Sequence, residues 1–357
     1  MTWAAETGSA PVAIGFLLPP KDPDADSPRQ GARLAIEQAN RLPGPAVKLV
    51  VRGRQGQWGS DGEDAAALVL DDQVRALLTS ADGAAAHQVL QVAGRTGVPV
   101  ASLCPDTSIT RSGIPWALQV VPGTEAEART IFTTLASSAN PPRRWSAVVP
   151  LERAGREATR DLLAAAHVAG CQLAPPLARP TVPADSTPAL HRLLASQPDG
   201  VLLWVNPRPA AHLARALRQM GYHGLLAGPS WLDSPAFLRA AGQAASGTLV
   251  PAPVSNERDI ASFRDFAATY RTRFGREPDA AAAQAYDATT LLVRVLRDAG
   301  NRPAYRQFPL RREYTGISGD LRFDSTGRRV VPLTLRVCQD GKFSVLETET
   351  PNHSSLR

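Results

Sequence analysis

The stretch VAIGFLL, residues 12–18, is the part of the sequence that decides the fold. It is a continuous apolar run that ends at two prolines, which is typical of a strand buried on both faces of a parallel sheet. Ser27, Pro28 and Gln30 follow with the spacing of an N-cap, a first helical residue and a third helical residue. A buried strand leading into a helix near Pro28 is the opening unit of an α/β fold.

The same alternation of strand and helix continues along the chain. VKLVVRG, VRALLTS and VPVASLC are apolar segments separated by amphipathic ones. After VVPGTE the pattern begins again, with SAVVPL, GVLLWVN and GLLAGPS. Right-handed crossovers between such units require parallel strands. The sequence therefore predicts an α/β protein with two doubly wound parallel-sheet lobes.

Two segments interrupt this alternation. Proline-rich PPLARPTVPADSTP, residues 175–188, is predicted to be a surface loop. The segment GDLRFDSTGRRVVPLTLRVCQDGKFSVLE, residues 319–347, alternates apolar and polar residues around two turns. It predicts antiparallel strands that complete the second lobe.

Length and composition fit this architecture and exclude several classes of protein. A chain of 357 residues predicts two domains. The net charge is +6, but the arginines are scattered beside acids, so we expect solvated helix faces and no nucleic-acid partner. No apolar run is long enough to span a membrane. The three cysteines lack metal-site spacing and could form at most one disulfide.

The first residues, MTWAAETGSAPVA, contain neither a basic start nor an apolar stretch of signal-peptide length. Two alternatives follow from the sequence. Either a signal peptide has been removed and the protein is periplasmic or otherwise extracytoplasmic, or the protein is cytoplasmic.

Several segments, in this order, resemble the type I periplasmic binding proteins of branched-chain amino-acid and amide ABC transporters. They are IGFLLPP with GARLAIEQAN, GVPVASLCPDTSIT, AQAYDATTLL and GDLRFDSTGRRVVPLTLRVCQDGKF. The resemblance extends over nearly the whole chain. It implies two lobes that capture a small molecule by hinge closure and deliver it to a membrane permease, and it implies a monomer. A cytoplasmic ligand sensor of the amide-responsive type is the alternative.

The resemblance also implies the division of the chain. Lobe 1 is expected to comprise residues 12–121 and 254–319, and lobe 2 residues 122–253 and 320–347. Residues 1–11 and 348–357 are expected to be flexible termini. Three crossing segments would form the hinge, near Val120 to Gly123, Val250 to Val254 and Asp320 to Val330.

In parallel α/β sheets, ligands bind at the carboxyl ends of strands, where helices begin with free backbone donors. Three such regions in lobe 1 are candidates. Ser80, Gly83, Ala84 and Ala85 are small residues that would let backbone N–H groups approach a carboxylate or another acceptor. They would equally form an ordinary strand-to-helix turn.

The second region follows the strand VPVA and contains Ser102, Leu103, Cys104 and Asp106. By resemblance it offers backbone carbonyls and side chains to the ligand. Cys104 is a candidate pocket wall, because no histidine is placed to activate it as a nucleophile. Asp106 either faces a cation or caps its own turn.

In the third region, Trp58 lies between glycines, where it would stack on a ligand or pack on its own loop. Candidate side chains of lobe 2 lie in the loops after SAVV, GVLL and GLLA, which face lobe 1 by topology. Arg153, Asn206 and Ser230 are polar, and Trp231 would form either a flat apolar wall or part of the core.

By resemblance, branched-chain amino-acid binders place an acid in the loop that corresponds to GPSW. Here Ser230 occupies that loop, which favours a carboxylate, an amide or an aromatic compound over an α-amino acid. Tyr286 lies in the AYDAT stretch, where it would either pack in the core or contact the ligand.

The sequence does not indicate an enzyme. It contains no GxSxG, GxxxxGK[ST] or HExxH motif and no GxGxxG after the first strand. The six histidines also lack metal-ligand spacing. We therefore expect no catalytic residue, no metal and no cofactor.

Overall fold

The computed structural model describes residues 11–18, 26–53, 60–179, 187–254, 257–307 and 313–346. The chain divides into two compact units. Unit 1 comprises Met1–Gly123 and Ser255–Val331, and unit 2 comprises Thr124–Val254 and Pro332–Arg357. The chain thus passes between the units three times. The termini predicted to be flexible lie outside the described residues, apart from residue 11.

The helices and strands follow one another in the predicted alternation. Before the first crossing lie β1 (Val12–Leu17), α1 (Asp26–Ala39), β2 (Val47–Arg52), α2 (Ser60–Leu70), β3 (Ala76–Thr79), α3 (Gly83–Thr96), β4 (Val100–Ser102) and β5 (Ala117–Gln119). Between the first and second crossings lie α4 (Thr124–Ala136), β6 (Arg144–Pro150), α5 (Arg153–Val168), β7 (Gln172–Leu173), β8 (Leu177–Arg179), α6 (Thr187–Ala195), β9 (Gly200–Leu203), α7 (Pro207–Gln219), β10 (Leu225–Ala227), α8 (Pro235–Ala241) and β11 (Thr248–Pro253). The last elements are α9 (Glu257–Phe274), α10 (Ala280–Ala299), β12 (Tyr314–Gly316), β13 (Gly319–Leu321), β14 (Leu333–Gln339) and β15 (Lys342–Val345).

Unit 1 contains a five-stranded sheet of order β2-β1-β3-β4-β5, and all of its strands are parallel. Strand β1 lies inside this sheet, where Ile14 pairs with Leu49 on one side and Ala76 on the other. Ile14 and Phe16 are fully buried. This confirms the prediction that residues 12–18 form a strand covered on both faces.

Helices α1 and α10 pack closely together in unit 1. A side chain at Gly31 would place its Cβ 2.0 Å from the carbonyl oxygen of Ala282, so only glycine permits this approach. Helix α1 begins at Asp26, earlier than predicted, and the hydroxyl of Ser27 donates to the Asp279 carboxylate instead of capping α1. Asp279 also caps α10 by accepting from the Ala282 N–H at 2.9 Å. One carboxylate therefore joins the starts of both helices.

Unit 2 contains an eight-stranded sheet of order β15-β14-β11-β10-β9-β6-β7, with β8 also paired to β6. Strands β14 and β15 are antiparallel to their neighbours, as the alternating pattern predicts. The loop predicted over residues 175–188 is observed only in part. Leu177–Arg179 forms the strand β8, which pairs with β6, and residues 180–186 lie outside the described residues.

The third crossing differs from the expected one. Residues 320–331, expected in lobe 2, belong to unit 1. The physical reason is that this stretch bonds to the end of β5. The N–H of Gln119 donates to Gly327 at 2.9 Å, and the N–H of Arg329 donates to the carbonyl of Gln119 at 3.1 Å. The crossing lies between Val331 and Pro332.

A buried arginine fixes this stretch. Arg329 is 3% exposed, and its guanidinium donates to the carbonyl oxygens of Val120, Ser318 and Asp320 at 2.9 to 3.1 Å. It also donates to the Ser318 hydroxyl, which in turn donates to the buried carboxylate of Asp287 at 2.5 Å. The network joins α10, the β12–β13 turn and the residues before the first and third crossings.

Replacing Arg329 with Met is expected to lower the free energy of unfolding by about 3 kcal/mol, because buried acceptors lose a charged donor. Urea unfolding followed by circular dichroism measures the change. Arg322→Met is the matched control, since Arg322 is 55% exposed and pairs with Glu313 and Asp320 at the surface. The control is expected to cost less than about 1 kcal/mol. Equal losses in the two variants would contradict a special role for the network.

Candidate functional site

The loop between β3 and α3 forms a capped helix start in unit 1. The Asp82 carboxylate accepts from the Ala85 N–H at 2.8 Å, and the Ser80 hydroxyl accepts from the Asp82 N–H at 3.3 Å. The amide of Ala85, expected to face a ligand, is therefore occupied by the chain's own acid. Gly83 and Ala85 are buried, whereas Ala84 is exposed.

The loop after β4 is held by buried hydrogen bonds. The Ser102 hydroxyl lies 2.8 Å from the Thr79 hydroxyl and accepts from the Cys104 N–H at 3.2 Å. Leu103 packs into the core of unit 1. The carbonyl of Cys104 accepts from the Gln119 side chain at 2.9 Å. Ser102 and Leu103 thus have structural partners in the interior, which the sequence pattern did not reveal.

Asp106 links this loop to the start of α3. Its Oδ1 accepts from the Ser108 N–H at 2.8 Å, which is the predicted turn interaction. Its Oδ2 is buried and has no hydrogen-bond partner among the described residues. A Cβ at Gly83 would lie 3.3 Å from this Oδ2 and 3.7 Å from the Cys104 sulfur. The structure therefore brings together Gly83, Cys104 and Asp106 of two predicted loops.

Trp58 and Tyr286 are the two remaining candidate residues of unit 1. Trp58 lies outside the described residues. Tyr286 lies on α10, where its hydroxyl donates to the Gln38 side chain on α1 and its ring lies 5.1 Å from that of Phe266. Its hydroxyl and ring are engaged in helix packing, which matches the core alternative given for this residue.

In unit 2, the candidate residues lie after β6, β9 and β10, as predicted. Arg153 is the first residue of α5 and is half-buried. Asn206 precedes α7, is exposed, and makes no side-chain cap to that helix. The ring of Trp231 lies 6.0 Å from that of Trp204 in an edge-to-face arrangement, and its N–H donates to the Val205 carbonyl at 3.1 Å.

Sequence reasoning missed Glu127 on α4. It is 1% exposed, and its carboxyl accepts from the Ser230 N–H at 3.3 Å. Burial raises the pKa of Glu127 to about 8, although hydrogen bonds from Ser230 oppose the shift. A carboxyl group therefore does contact the GPSW loop, residues 228–231, but it belongs to Glu127 on α4 and not to the loop itself. The available signal was that Glu127 falls on the same helix face as Ala128 and Ile131.

Trp204 is a second residue that the sequence did not single out. It follows β9, is 2% exposed, and its indole N–H has no hydrogen-bond partner among the described residues. Its ring packs in the cluster that contains Ala128 and Phe132 of α4. The loops after β9 and β10 thus carry two tryptophans, and the buried carboxyl of Glu127 on α4 contacts the second loop.

The described residues hold no group of three His, Cys, Asp or Glu side chains able to bind a metal. The three cysteines are free, with Cys104 and Cys338 buried and Cys171 half-buried. Within the same described part of the chain, no helix has the length and apolar character needed to cross a membrane.

Comparison with known proteins identifies the family. A family model described as periplasmic binding protein matches residues 11–341. The chain belongs to the periplasmic binding protein family. This confirms the resemblance and the fold class inferred from the sequence. No curated protein matches the sequence.

Solved structures of similar fold include three binding proteins of known source. They are the leucine-binding protein LivK of Thermotoga maritima (18% identity, TM-score 0.83, 94% of this chain and 98% of that chain), LivJ of Streptococcus pneumoniae in complex with isoleucine (17%, 0.83, 94% and 99%), and a solute-binding protein of an ABC transporter from R. palustris in complex with benzoate (18%, 0.85, 94% and 96%). The periplasmic binding protein described here shares the fold of these three.

The buried acid gives this family member a predicted pH dependence. Because the pKa of Glu127 is raised from 4.5 to about 8, the folded state keeps a proton that the unfolded state loses above pH 4.5. The free energy of unfolding should fall between pH 4.5 and 8 by up to about 1.4 kcal/mol per pH unit. Glu127→Gln should therefore gain stability relative to the unmodified protein as pH rises.

Urea titrations at pH 5 and pH 8 measure this difference. Glu125→Gln, which changes a half-buried acid in the same turn of α4, is the control for the loss of one carboxyl. A pH-independent difference for Glu127→Gln would contradict the assignment of a neutral carboxyl.

Proposed function

We propose that this chain is a solute-binding protein that captures a small organic ligand by hinge closure and delivers it to an ABC transporter permease. The observation that carries the proposal is the placement of the candidate groups. In each unit, polar residues lie at the carboxyl ends of parallel strands, and in unit 2 tryptophans accompany them. The chain belongs to the periplasmic binding protein family. Ligands of open α/β sheets bind at such strand ends.

Unit 1 supports the proposal through the contact between its two loops. The Oδ2 of Asp106 lies close to Gly83. This buried oxygen has no hydrogen-bond partner among the described residues. Such an atom costs free energy when it is not hydrogen-bonded. A ligand group is one means of supplying the missing hydrogen bond, and we place the ligand of unit 1 at Ser80, Gly83, Ala84, Cys104 and Asp106.

Unit 2 supports the proposal through exposed and half-buried groups near its strand ends. Asn206 can donate and accept, and it is not used to cap α7. Trp231 is half-buried and is held by Trp204 and by the Val205 carbonyl, which orients an apolar surface. We place the ligand contacts of unit 2 at Asn206, Ser230 and Trp231, with Arg153 at the start of α5.

The comparisons favour transport over the sensor alternative, because the similar solved structures include solute-binding proteins of ABC transporters. We therefore propose an extracytoplasmic location, a permease as the macromolecular partner, a monomeric state and no enzymatic activity. LivK is described as leucine-binding, and other similar proteins were solved with isoleucine or benzoate. Small amphiphilic organic compounds are accordingly the class in which we expect the ligand.

A thermal-shift screen of amino acids, amides, small carboxylates, amines and aromatic acids tests the proposal, since a specific ligand raises the melting temperature by mass action. Calorimetric titration of the strongest compound then measures the effect of Asn206→Ala and Trp231→Ala. Each change is expected to weaken binding about tenfold or more, equivalent to at least about 1.4 kcal/mol.

Tyr286→Phe serves as the control for these two variants. It removes the hydroxyl that donates to Gln38 and should leave ligand affinity unchanged. Unchanged affinity in both the Asn206 and the Trp231 variants would contradict the proposed placement of the site.

A further inference from the structure

The starts of α2 and α3 in unit 1 form an acidic edge. The two helices are in contact. A Cβ at Gly62 on α2 would lie 3.1 Å from the Gln88 side chain on α3. Burial raises the pKa of Asp61, and the neighbouring carboxylates of Asp82 and Asp64 raise it further. These acids are therefore close enough to repel one another. Their field disfavours an anion at this edge.

The start of α3 does not compensate for this negative charge. A helix N-terminus ordinarily attracts an anion through its free N–H groups and the helix dipole. Here the Asp82 carboxylate already accepts from the Ala85 N–H at 2.8 Å. A ligand carboxylate would have to compete with this fixed carboxylate for the same helix end.

Asp106 adds a second, independent observation. The residue is 7% exposed, and its Oδ2 lies 3.3 Å from the position that a Cβ of Gly83 would take. This oxygen has no hydrogen-bond partner among the described residues. An ionised carboxylate oxygen only accepts hydrogen bonds, so the group that forms the missing hydrogen bond to Oδ2 must be a donor.

Two basic side chains lie near Asp106. The Nε2 of His87 is 4.0 Å from Oδ2 and lies 2.8 Å from the Ser108 hydroxyl. Arg111 approaches the Thr107 hydroxyl at 3.5 Å. At 4.0 Å the histidine does not hydrogen-bond to Oδ2, so this oxygen still lacks a donor among the described residues.

We propose that the ligand presents a protonated amine or amidine to Asp106, an inference that rests on the proposed function. Unit 1 would then discriminate against a carboxylate at this position. The terminal torsion of an aspartate is broad, so the carboxylate can turn toward a ligand without a change in the backbone. A charged donor on a carboxylate forms one of the stronger hydrogen bonds in proteins. Asp106 is thus a specificity-determining residue.

Matched pairs of probes test this inference. Benzamidine and benzoate have similar shapes and opposite charge, as do 3-methylbutylamine and 3-methylbutanoate, and linear diamines and dicarboxylates extend the panel. Each compound is titrated into the full chain and into Asp106→Asn, which retains an acceptor for the Ser108 N–H. Asp265→Asn, an exposed acid on α9, is the control for the change in net charge.

The expected result is that cationic members bind the unmodified chain more tightly than their carboxylate partners. Asp106→Asn should weaken cation binding at least tenfold and should lower the ratio of cation affinity to carboxylate affinity within each pair. Asp265→Asn should change neither the cation affinity nor this ratio. Melting temperatures of the unliganded variants show whether Asp106→Asn is folded. If it is not, Asp106→Glu is expected to keep the preference for the cation in each pair.

Three results would overturn the inference. Preferential binding of the carboxylate partners would refute it while leaving the proposed function intact. Cation binding that Asp106→Asn does not weaken would assign the carboxylate a purely structural role. Failure of every compound, including amino acids and amides, to bind any folded variant would count against the proposed function itself, and the inference would fall with it.

Discussion

Parallel strand order is the constraint on which the rest of this protein depends. Because neighbouring strands are joined by right-handed crossovers, each sheet collects its strand ends and helix starts at one edge. In unit 1 this edge holds the loops of Ser80 and Asp106, and in unit 2 it holds those of Asn206 and Trp231. The candidate site is therefore a consequence of topology first and of side-chain chemistry second.

Polar networks, as well as apolar packing, hold the elements of unit 1 together. Arg329 connects the residues before two of the three crossings, and Asp279 joins the starts of α1 and α10. Each network satisfies its members with several hydrogen bonds, which is the condition under which buried charge is tolerated. In unit 2, burial raises the pKa of Glu127 to about 8, so this carboxyl is neutral at pH 7.

The sequence predicted the alternation of strands and helices well, because apolar runs such as residues 12–18 report burial directly. It predicted the third crossing less well. Whether residues 320–331 join one unit or the other depends on backbone hydrogen bonds to Gln119 that no local pattern encodes. At the site, the loops were predicted and their side-chain roles were not. Leu103 packs in the core, Tyr286 pairs with Gln38, and Glu127 reaches Ser230 from a distant helix.

We propose that the ligand contacts strand-end loops in each unit. Hydrogen exchange measured by mass spectrometry, with and without the compound that gives the largest thermal shift, tests it most directly, because amides that a ligand covers or orders exchange more slowly. We expect slower exchange in peptides covering residues 80–85 and 102–108 and also in peptides covering 204–206 and 228–231. Protection confined to one unit, or located away from these loops, would contradict it.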